Sequence, residues 1–314
     1  MERMIAVIGP TAVGKTKVSI DLAKKLNTEI ISGDSMLVYK NMNIGTAKPN
    51  ENERSNVLHH LIDILEPSAD FSVVDFTKLA SQHITAINQQ GTIPILAGGT
   101  GLYIKALLEG YQFNPTPSDE KLRASLDMLA KQYGNQYLHD KLAKALPATA
   151  ARLHPNDLRR VIRALEVYYL SGDTISQDKL LNQQELLYDA VVIGITMDRQ
   201  LLYHRINQRV DMMIKQGLVQ EVAMLLHSGI SPNCQGMQGI GYKEIVRHVQ
   251  GEIDLATATE TIKQATRNFA KRQLTWYRKM PYITWFDVNE FSDYNTMMET
   301  FYKIIAGKFN LEVE

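Results

Sequence analysis

The stretch VIGPTAVGKTKVSIDLAKKL, residues 7–26, decides the fold class. It begins as an apolar strand, turns at a Gly-Pro pair, and continues as an amphipathic helix after Gly14, Lys15 and Thr16. GPTAVGKT fits the phosphate-binding pattern G-x-x-x-x-G-K-[ST] in the context it requires, with a strand before it and a helix after it. The sequence therefore predicts a P-loop. It leaves open whether the bound phosphates belong to ATP, the motif's usual ligand, or to another diphosphate compound.

The chemistry of this loop follows from its residue types. Glycines allow backbone N–H groups to converge on phosphate oxygens, and the N-terminus of the following helix adds partial positive charge. The Lys15 ammonium neutralises phosphate charge, and the Thr16 hydroxyl is the predicted ligand of a Mg²⁺ cofactor. The residues predicted to bind the diphosphate or nucleotide are Gly9, Pro10, Thr11, Ala12, Val13, Gly14, Lys15 and Thr16.

Short apolar runs, each followed by a glycine-containing turn and a helical pattern, recur along the chain. The clearest are residues 4–8, 29–32 and 93–97. This alternation is typical of a parallel α/β sheet, in which ligands bind beyond the carboxyl ends of the strands. We predict an α/β fold with a parallel-sheet, P-loop NTPase-like core and an inserted, mostly helical domain. The loops that hold Thr11, Asp34 and Thr100 are expected to face one crevice.

The inserted domain is indicated by a break in the pattern. Two prolines in YQFNPTPSDE, residues 111–120, mark the break, and amphipathic helix predominates from there to about residue 186. The apolar run 190–198 then predicts a return to the sheet, and helical periodicity follows over residues 199–228 and 255–280. We assign residues 1–115 and 187–314 to the core with its C-terminal helices, and residues 116–186 to the helical insertion.

Composition narrows the compartment and the partners. The 34 Lys and Arg residues balance the 34 Asp and Glu residues, so a basic surface must be local. The single cysteine, Cys234, excludes an internal disulfide framework and fits a reducing compartment. The N-terminus has no room for a signal peptide, and no window approaches the roughly 20 apolar residues of a membrane span. We expect a cytoplasmic monomer without a membrane partner.

A carboxylate follows the second predicted strand. Asp34 lies in SGDSMLVYKNMNIGTAKP, residues 32–49, directly after a glycine. Its position fits a general base beside the bound phosphates, and it fits equally an ordinary turn or helix-capping aspartate. An ATPase or kinase also needs an acidic Mg²⁺ ligand at the end of a strand. Asp198 and Asp287 are only weak candidates for that ligand.

Six sequence blocks occur in a particular order between residue 9 and about residue 279: GPTAVGKT, SGDSMLVYKNMNIGTAKP, AGGTGLYIKALLEG, HPNDLRRVIRALEV, QGIGYKE and RNFAKRQLTWYRK. In order and joint presence they resemble the bacterial tRNA dimethylallyltransferases, also called tRNA isopentenyltransferases. Enzymes of that family transfer a dimethylallyl group from dimethylallyl diphosphate to N6 of the adenosine 3′ of the anticodon, in tRNAs that read codons beginning with U. The resemblance therefore implies that the P-loop holds the diphosphate of a prenyl donor.

The resemblance also assigns catalytic positions. Asp34 matches the family's catalytic aspartate, which would accept the N6 proton as the C–N bond forms. Thr100 matches a substrate-contacting threonine, and it also stands where a helix cap is expected. Arg205 and Arg209 lie four residues apart in a predicted helix and share a face. We favour Arg209 as the ligand of the diphosphate, with Arg205 as the alternative.

The predicted RNA surface combines basic helices with a glycine-rich segment. Residues 263–279 contain six Lys or Arg and no acidic residue, a composition that favours a phosphate backbone as partner. Four of them fall on one side of a helix: Lys263, Arg267, Lys271 and Arg278. From this pattern and the resemblance, the residues predicted to contact the tRNA anticodon stem-loop are Asp34, Ser35, Met36, Leu37, Thr100, Arg123, Arg159, Arg160, Val161, Ile162, Arg163, Gly239, Gly241, Lys271 and Arg278.

Other functions also fit a P-loop. An adenylate isopentenyltransferase prenylates free AMP, ADP or ATP, but a mononucleotide would not require the inserted domain or the basic C-terminal helix. A small-molecule or nucleoside kinase would use the same loop and the same α/β alternation. A nucleotide-dependent switch without enzymatic activity is a third alternative. Competition between ATP and the prenyl donor for the loop separates these classes.

Overall fold

The structure is a computed structural model, and it describes residues 1–113, 118–172, 177–179 and 185–312. The chain divides into two compact units, Met1–Glu109 with Gln183–Glu314, and Gly110–Asn182. We therefore propose Gly110–Asn182, rather than residues 116–186, as the extent of the inserted domain. Within the described ranges, none of the helices combines the length and apolar character that a membrane span requires.

The described residues form eight strands: β1 (Arg3–Ile8), β2 (Ile30–Ser32), β3 (His59–His60), β4 (Ile95–Gly98), β5 (Tyr111–Phe113), β6 (Gln177–Lys179), β7 (Asp189–Thr196) and β8 (Thr284–Asp287). The same residues form thirteen α-helices: α1 (Lys15–Leu26), α2 (Glu51–Arg54), α3 (Val73–Gln89), α4 (Gly101–Leu108), α5 (Glu120–Tyr133), α6 (Asn135–Ala145), α7 (Pro147–Ala150), α8 (Leu158–Ser171), α9 (Arg199–Gln216), α10 (Leu218–His227), α11 (Tyr242–Val249), α12 (Leu255–Tyr277) and α13 (Tyr294–Phe309).

Six parallel strands form the sheet of the first unit, in the order β3-β2-β4-β1-β7-β8. Residues 4–8 of β1 are fully buried, with alternate side chains in two different core clusters. Apolar layers therefore cover both faces of the sheet, which explains why its strands are continuous apolar runs. The predicted parallel α/β core with a P-loop NTPase-like fold is confirmed.

The loops after β1, β2 and β4 meet at one edge because these strands are parallel neighbours. Backbone hydrogen bonds join the two loops after β2 and β4, from the Gly33 amide to the Ala97 carbonyl (2.8 Å) and from the Thr100 amide to the Gly33 carbonyl (3.2 Å). A Cβ atom at Gly98 would overlap the backbone of Gly33. The glycine at position 98 thus permits the close approach that builds this edge.

One predicted helical segment contains a break that its periodicity did not show. The periodic segment 199–228 is divided into α9 and α10 at Gly217, whose φ of +102° is left-handed and ends α9. Glycine adopts this conformation without the steric cost that other residues meet. The amide of Gly217 donates to the Ile214 and Met213 carbonyls, which closes the last turn of α9.

The second unit packs α5, α6, α7 and α8 around its own apolar cluster, and its strands β5 and β6 pair antiparallel. A buried carboxylate, that of Glu166, lies within it. Glu166 pairs with Arg123 (2.8 Å) and Arg163 (2.6 Å), and it accepts the Asp119 amide (2.7 Å). Burial opposes its ionisation, but these hydrogen bonds hold the pKa of Glu166 below its usual range. The two arginines therefore stabilise this unit.

Candidate active site

The P-loop connects β1 to α1 as predicted. Ala12 has a left-handed φ of +66° and Gly14 one of +108°. The amide of Thr11 donates to Gln273 (2.9 Å), whereas the amides of Ala12, Val13 and Gly14 donate to no acceptor in the described part of the chain. Unpaired N–H groups at the start of a helix favour an anion. The loop is therefore suited to bind phosphate oxygens.

A pocket of about 540 Å³ opens at this edge of the sheet. The P-loop and α1 form one side of it, and the other residues come from the segment after β2 with α2, from the end of β4 and the loop after it, and from α9 and α12. The residues that carry the chemistry are Thr11, Lys15, Thr16, Asp34, Gly99, Arg209 and Gln273. One cavity thus brings together the cations, the carboxylate and the loop amides.

Asp34 makes the turn that its position suggested, and it also faces the pocket. Its Oδ1 accepts the Met36 amide at 2.9 Å. Burial raises the pKa of Asp34, against the opposing effects of the Met36 amide, the Lys15 charge and the Leu37 amide. A carboxylate with a raised pKa is a stronger base than an exposed aspartate. The turn role and the general-base role are therefore compatible.

Lys15 is a cation in an environment that disfavours its charge. Its ammonium donates to the Pro10 carbonyl at 2.8 Å. Burial lowers the pKa of Lys15 to about 7, with Asp34 opposing this shift and Arg209 adding to it. A bound diphosphate would supply the missing negative charge. The site is therefore electrostatically prepared for an anionic group.

The structure distinguishes the two candidate arginines on α9. The described residues that line the pocket include Arg209 but not Arg205, which is exposed. Burial lowers the pKa of Arg209, Arg205 lowers it further, and Glu53 opposes the shift. A desolvated guanidinium next to the P-loop gains most from a diphosphate partner. This placement supports Arg209 as the diphosphate ligand.

We expect Arg209→Ala to weaken binding of magnesium pyrophosphate by about 30-fold, because it removes a charge-assisted hydrogen bond from a partly buried site. Arg205→Ala is the matched control, since it removes the same side chain one helical turn away, and its affinity for magnesium pyrophosphate should stay within about threefold of wild type. Calorimetry with both variants measures the two affinities. A larger effect of Arg205→Ala would reverse the assignment.

The side chain of Thr100 contacts the loop after β2. The described residues that line the pocket include Gly99 but not Thr100, and the Thr100 side chain makes no capping bond to α4. Instead, its hydroxyl accepts the Ser35 amide at 3.0 Å and donates to the Ser35 hydroxyl at 3.3 Å. Thr100 therefore occupies the expected N-cap position of α4, but its side chain does not cap the helix. The direct role of Thr100 with substrate stays a prediction, and its observed role is to fix the segment after Asp34.

Gln273 is a site residue that the sequence did not reveal. It is buried on α12, its Oε1 accepts the Thr11 amide (2.9 Å), and its Nε2 donates to the Gly99 carbonyl (2.8 Å). It thus bridges the P-loop and the loop after β4. A glutamine on the buried face of a helix rich in Lys and Arg was the available signal, but only the fold shows what it contacts.

The residues at the pocket fit a Mg²⁺ ion that would be coordinated mainly by the oxygens of a bound phosphate compound and by water, with Thr16 as a protein ligand. Thr16 lines the pocket, and the described residues contain no cluster of three or more His, Cys, Asp or Glu that could hold a metal alone. Mg²⁺ commonly uses few protein ligands together with phosphate oxygens and water. Asp198 and Asp287 accept the neighbouring amides of Gln200 (2.8 Å) and Asn289 (2.9 Å) instead. Neither is among the described residues that line the pocket.

Two of the four cations in the predicted basic stripe on α12, Lys263 and Arg267, bind polar side chains of the protein itself. Lys263 pairs with Asp211 of α9 (2.8 Å) and with Glu260 (2.9 Å), so its charge is neutralised. Arg267 donates to Asn207 of α9 (2.6 Å). The cations that remain exposed and make no ion pair within the described residues are Lys271, Arg272, Arg278 and Lys279. The candidate RNA surface therefore moves to the C-terminal end of α12.

The other predicted RNA contacts differ in their exposure and packing. Arg159 and Arg160 are exposed on α8, whereas the side chains of Val161 and Ile162 pack inside the core of the second unit. We therefore reassign Val161 and Ile162 from RNA contact to packing. A Cβ atom at Gly239 would overlap the side chain of Met36, and Gly241 has a φ of +98°. The positive φ of Gly241 favours glycine at that position, whereas at Gly239 the Met36 side chain could move aside.

Fold and pocket together define a P-loop protein that holds a carboxylate of raised pKa and the cationic side chains of Lys15 and Arg209 in one pocket. Comparison with known proteins gives the family. The family profile described as IPP transferase matches residues 37–280, and the one described as Isopentenyl transferase matches residues 2–70. The chain belongs to the IPP transferase family, as its sequence blocks indicated.

Similar proteins cover nearly the full length. The chain is 49% identical to the tRNA dimethylallyltransferase of Geobacillus thermodenitrificans over 311 residues, 99% of this chain and 98% of that one. The solved tRNA isopentenylpyrophosphate transferase of Bacillus halodurans is 46% identical, with a TM-score of 0.75 over 99% of this chain and 97% of that one. The solved structure of a eukaryotic dimethylallyltransferase acting on tRNA is 28% identical to this chain. Its TM-score is 0.80, and the match covers 100% of this chain and 81% of the eukaryotic chain.

Proposed function

We propose that this chain transfers the dimethylallyl group of dimethylallyl diphosphate to N6 of the adenosine 3′ of the anticodon, in tRNAs that read codons beginning with U. The observation that carries the proposal is the single pocket lined by Asp34, Lys15 and Arg209. The carboxylate provides a base for the acceptor, and the cations provide a site for the departing diphosphate. Membership of the IPP transferase family supports this use of the pocket.

The leaving-group side of the reaction is electrostatic. As the bond between the prenyl carbon and the diphosphate oxygen breaks, negative charge grows on the diphosphate. Lys15, Arg209 and the unpaired P-loop amides stabilise that charge where it develops. A Mg²⁺ ion held by Thr16 and the phosphate oxygens would add further neutralisation when bound. These groups lower the barrier without forming a covalent bond to the substrate.

The acceptor side needs a base because adenine N6 is a weak nucleophile, its lone pair being delocalised into the ring. The N6 lone pair attacks the prenyl carbon, the diphosphate leaves, and the Asp34 carboxylate accepts one N6 proton, which leaves a neutral secondary amine. The target adenosine must leave its stack to reach the pocket. The raised pKa of Asp34 suits this proton transfer.

We propose that the exposed cations at the end of α12, together with Arg159 and Arg160 of the helical unit, bind the phosphate backbone of the anticodon stem-loop. The double variant Lys271→Ala/Arg278→Ala should weaken stem-loop binding about tenfold at moderate salt and reduce the salt slope by about one per lost contact. Lys263→Ala is the matched control on the same helix, because Lys263 is already paired with acidic side chains. An equal effect of the control on binding would contradict this surface.

The proposed function is tested by transfer of label from radioactive dimethylallyl diphosphate, with Mg²⁺, to an unmodified anticodon stem-loop and in parallel to AMP and ATP. We expect label on the stem-loop alone. Label on the mononucleotides alone would make the chain an adenylate isopentenyltransferase. Absence of transfer, combined with ATP displacing the donor from the pocket, would support a kinase instead.

A further inference from the structure

A loop that forms one wall of the pocket is held by a single buried carboxylate. Thr46 and Ala47 of this loop line the pocket. The preceding amides of Asn43 (2.9 Å) and Ile44 (2.8 Å) donate to one oxygen of Glu221, and the Gly45 amide donates to the other at 3.1 Å. Three successive amides that converge on one anion form a nest, here filled by a side chain of α10.

The same carboxylate accepts a fourth hydrogen bond from Tyr242, a residue of the QGIGYKE block. The Tyr242 hydroxyl donates to Glu221 at 2.7 Å, and its ring lies against Gly45, where a Cβ atom would overlap it. Burial and the adjacent carboxylate raise the pKa of Tyr242, so its hydroxyl stays a donor. Glu221 is only 6% exposed, and four protein donors, three backbone amides and the Tyr242 hydroxyl, take the place of water around its carboxylate.

The other hydrogen bonds of the loop formed by residues 43–48 lie within the loop or at its C-terminal end. The Ala47 amide donates to Ile44 and the Lys48 amide to Asn43, both at 3.0 Å. The Lys48 ammonium donates to the Tyr39 carbonyl at 2.6 Å and pairs with Asp63. These bonds shape the turn and fix its C-terminal end. The three amides before the pocket-lining residues rely on Glu221.

We propose that Glu221 is a positioning residue that sets the Thr46–Ala47 wall against the P-loop and thereby shapes the site for the diphosphate. That the ligand is a diphosphate rests on the function proposed above. Glu221 is not among the described residues that line the pocket, and it acts through the loop amides. Loss of its charge leaves the amides with weaker acceptors, so the wall moves away from the position that the ligand needs.

The test uses Glu221→Gln, which keeps the size of the side chain, and Glu244→Gln as control. Glu244 is likewise a buried carboxylate that accepts a backbone amide, that of Gly241 (2.8 Å), but it does not hold the loop. We expect Glu221→Gln to weaken binding of magnesium pyrophosphate about tenfold in calorimetry, and to raise KM for dimethylallyl diphosphate by a similar factor. The kcat should fall less than about threefold, and the control should bind like wild type.

Hydrogen exchange gives the second readout. The amides of residues 43–45 should exchange at least about tenfold faster in Glu221→Gln, and the β1 amides should not change. Unchanged exchange at residues 43–45, or equal pyrophosphate binding, would overturn the role of Glu221 alone. Failure of the wild type to bind pyrophosphate would instead overturn the proposed function. If Glu221→Gln does not fold, Tyr242→Phe removes one of the four bonds and should give the same changes at smaller size.

Discussion

Asp34→Asn is expected to lower kcat about 10³-fold while donor and RNA binding stay within about threefold of wild type. The amide keeps the size of the side chain and can still accept the Met36 amide. The asparagine amide cannot accept the N6 proton, so the rate of the chemical step should fall while binding is retained. Single-turnover transfer together with donor and stem-loop binding separates these effects. A variant that turns over normally would remove Asp34 from the mechanism.

The pH dependence of the wild type gives a companion test of Asp34. Because the base acts in its ionised form, kcat should fall as the pH falls through the raised pKa of Asp34. The sign follows from burial, which favours the protonated and inactive form at acidic pH. The residual activity of Asp34→Asn should lack this acidic limb. An identical acidic limb in the variant would assign it to another group.

Lys15→Met is expected to lower kcat/KM for the donor about 10³-fold, because it removes the P-loop cation from a site where charge develops in the transition state. Methionine keeps most of the side-chain length, so the loss reports the ammonium. Lys15→Arg restores the charge and should recover part of the rate. Steady-state kinetics with the donor varied measures both variants. A Lys15→Met enzyme within about tenfold of wild type would contradict a P-loop role in this reaction.

The pKa of Lys15, lowered to about 7, predicts a proton-coupled binding step. Above pH 7 the free site holds largely neutral Lys15, and a bound diphosphate raises its pKa, so binding takes up a proton. Calorimetry of pyrophosphate in buffers of different ionisation enthalpy measures this uptake. In Lys15→Arg the guanidinium stays charged, so that variant should show less uptake. Equal uptake in both proteins would contradict the assigned pKa.

The features that sequence predicted well are those set by local residues. The P-loop needs only a strand, its glycines and a following helix, and all three lie within residues 3–26. Parallel strand order then places Asp34 at the same edge, as the α/β alternation implied. The family could be recognised because its blocks extend over nearly the whole chain.

The features that sequence missed depend on contacts between distant segments. Gln273 and Glu221 act through backbone amides more than 170 residues away, and no local pattern encodes such a partner. Lys263 has one acidic neighbour on its own helix, Glu260, but its second partner, Asp211, comes from α9 and could not be read from the α12 segment. Thr100 stands at a cap position, yet its hydroxyl accepts a hydrogen bond from the Ser35 amide, which joins the loops after β2 and β4. In each case tertiary packing chose between partners that one segment alone could not distinguish.

The most direct test of the central claim is a transfer reaction with doubly labelled dimethylallyl diphosphate, carrying one radioisotope in the prenyl carbons and another in the phosphorus atoms. After incubation with Mg²⁺ and an unmodified anticodon stem-loop, the carbon label should be on the adenosine N6 and the phosphorus label in free pyrophosphate. Phosphorus label on the acceptor, or carbon label retained in the donor while the pocket binds ATP, would contradict the account.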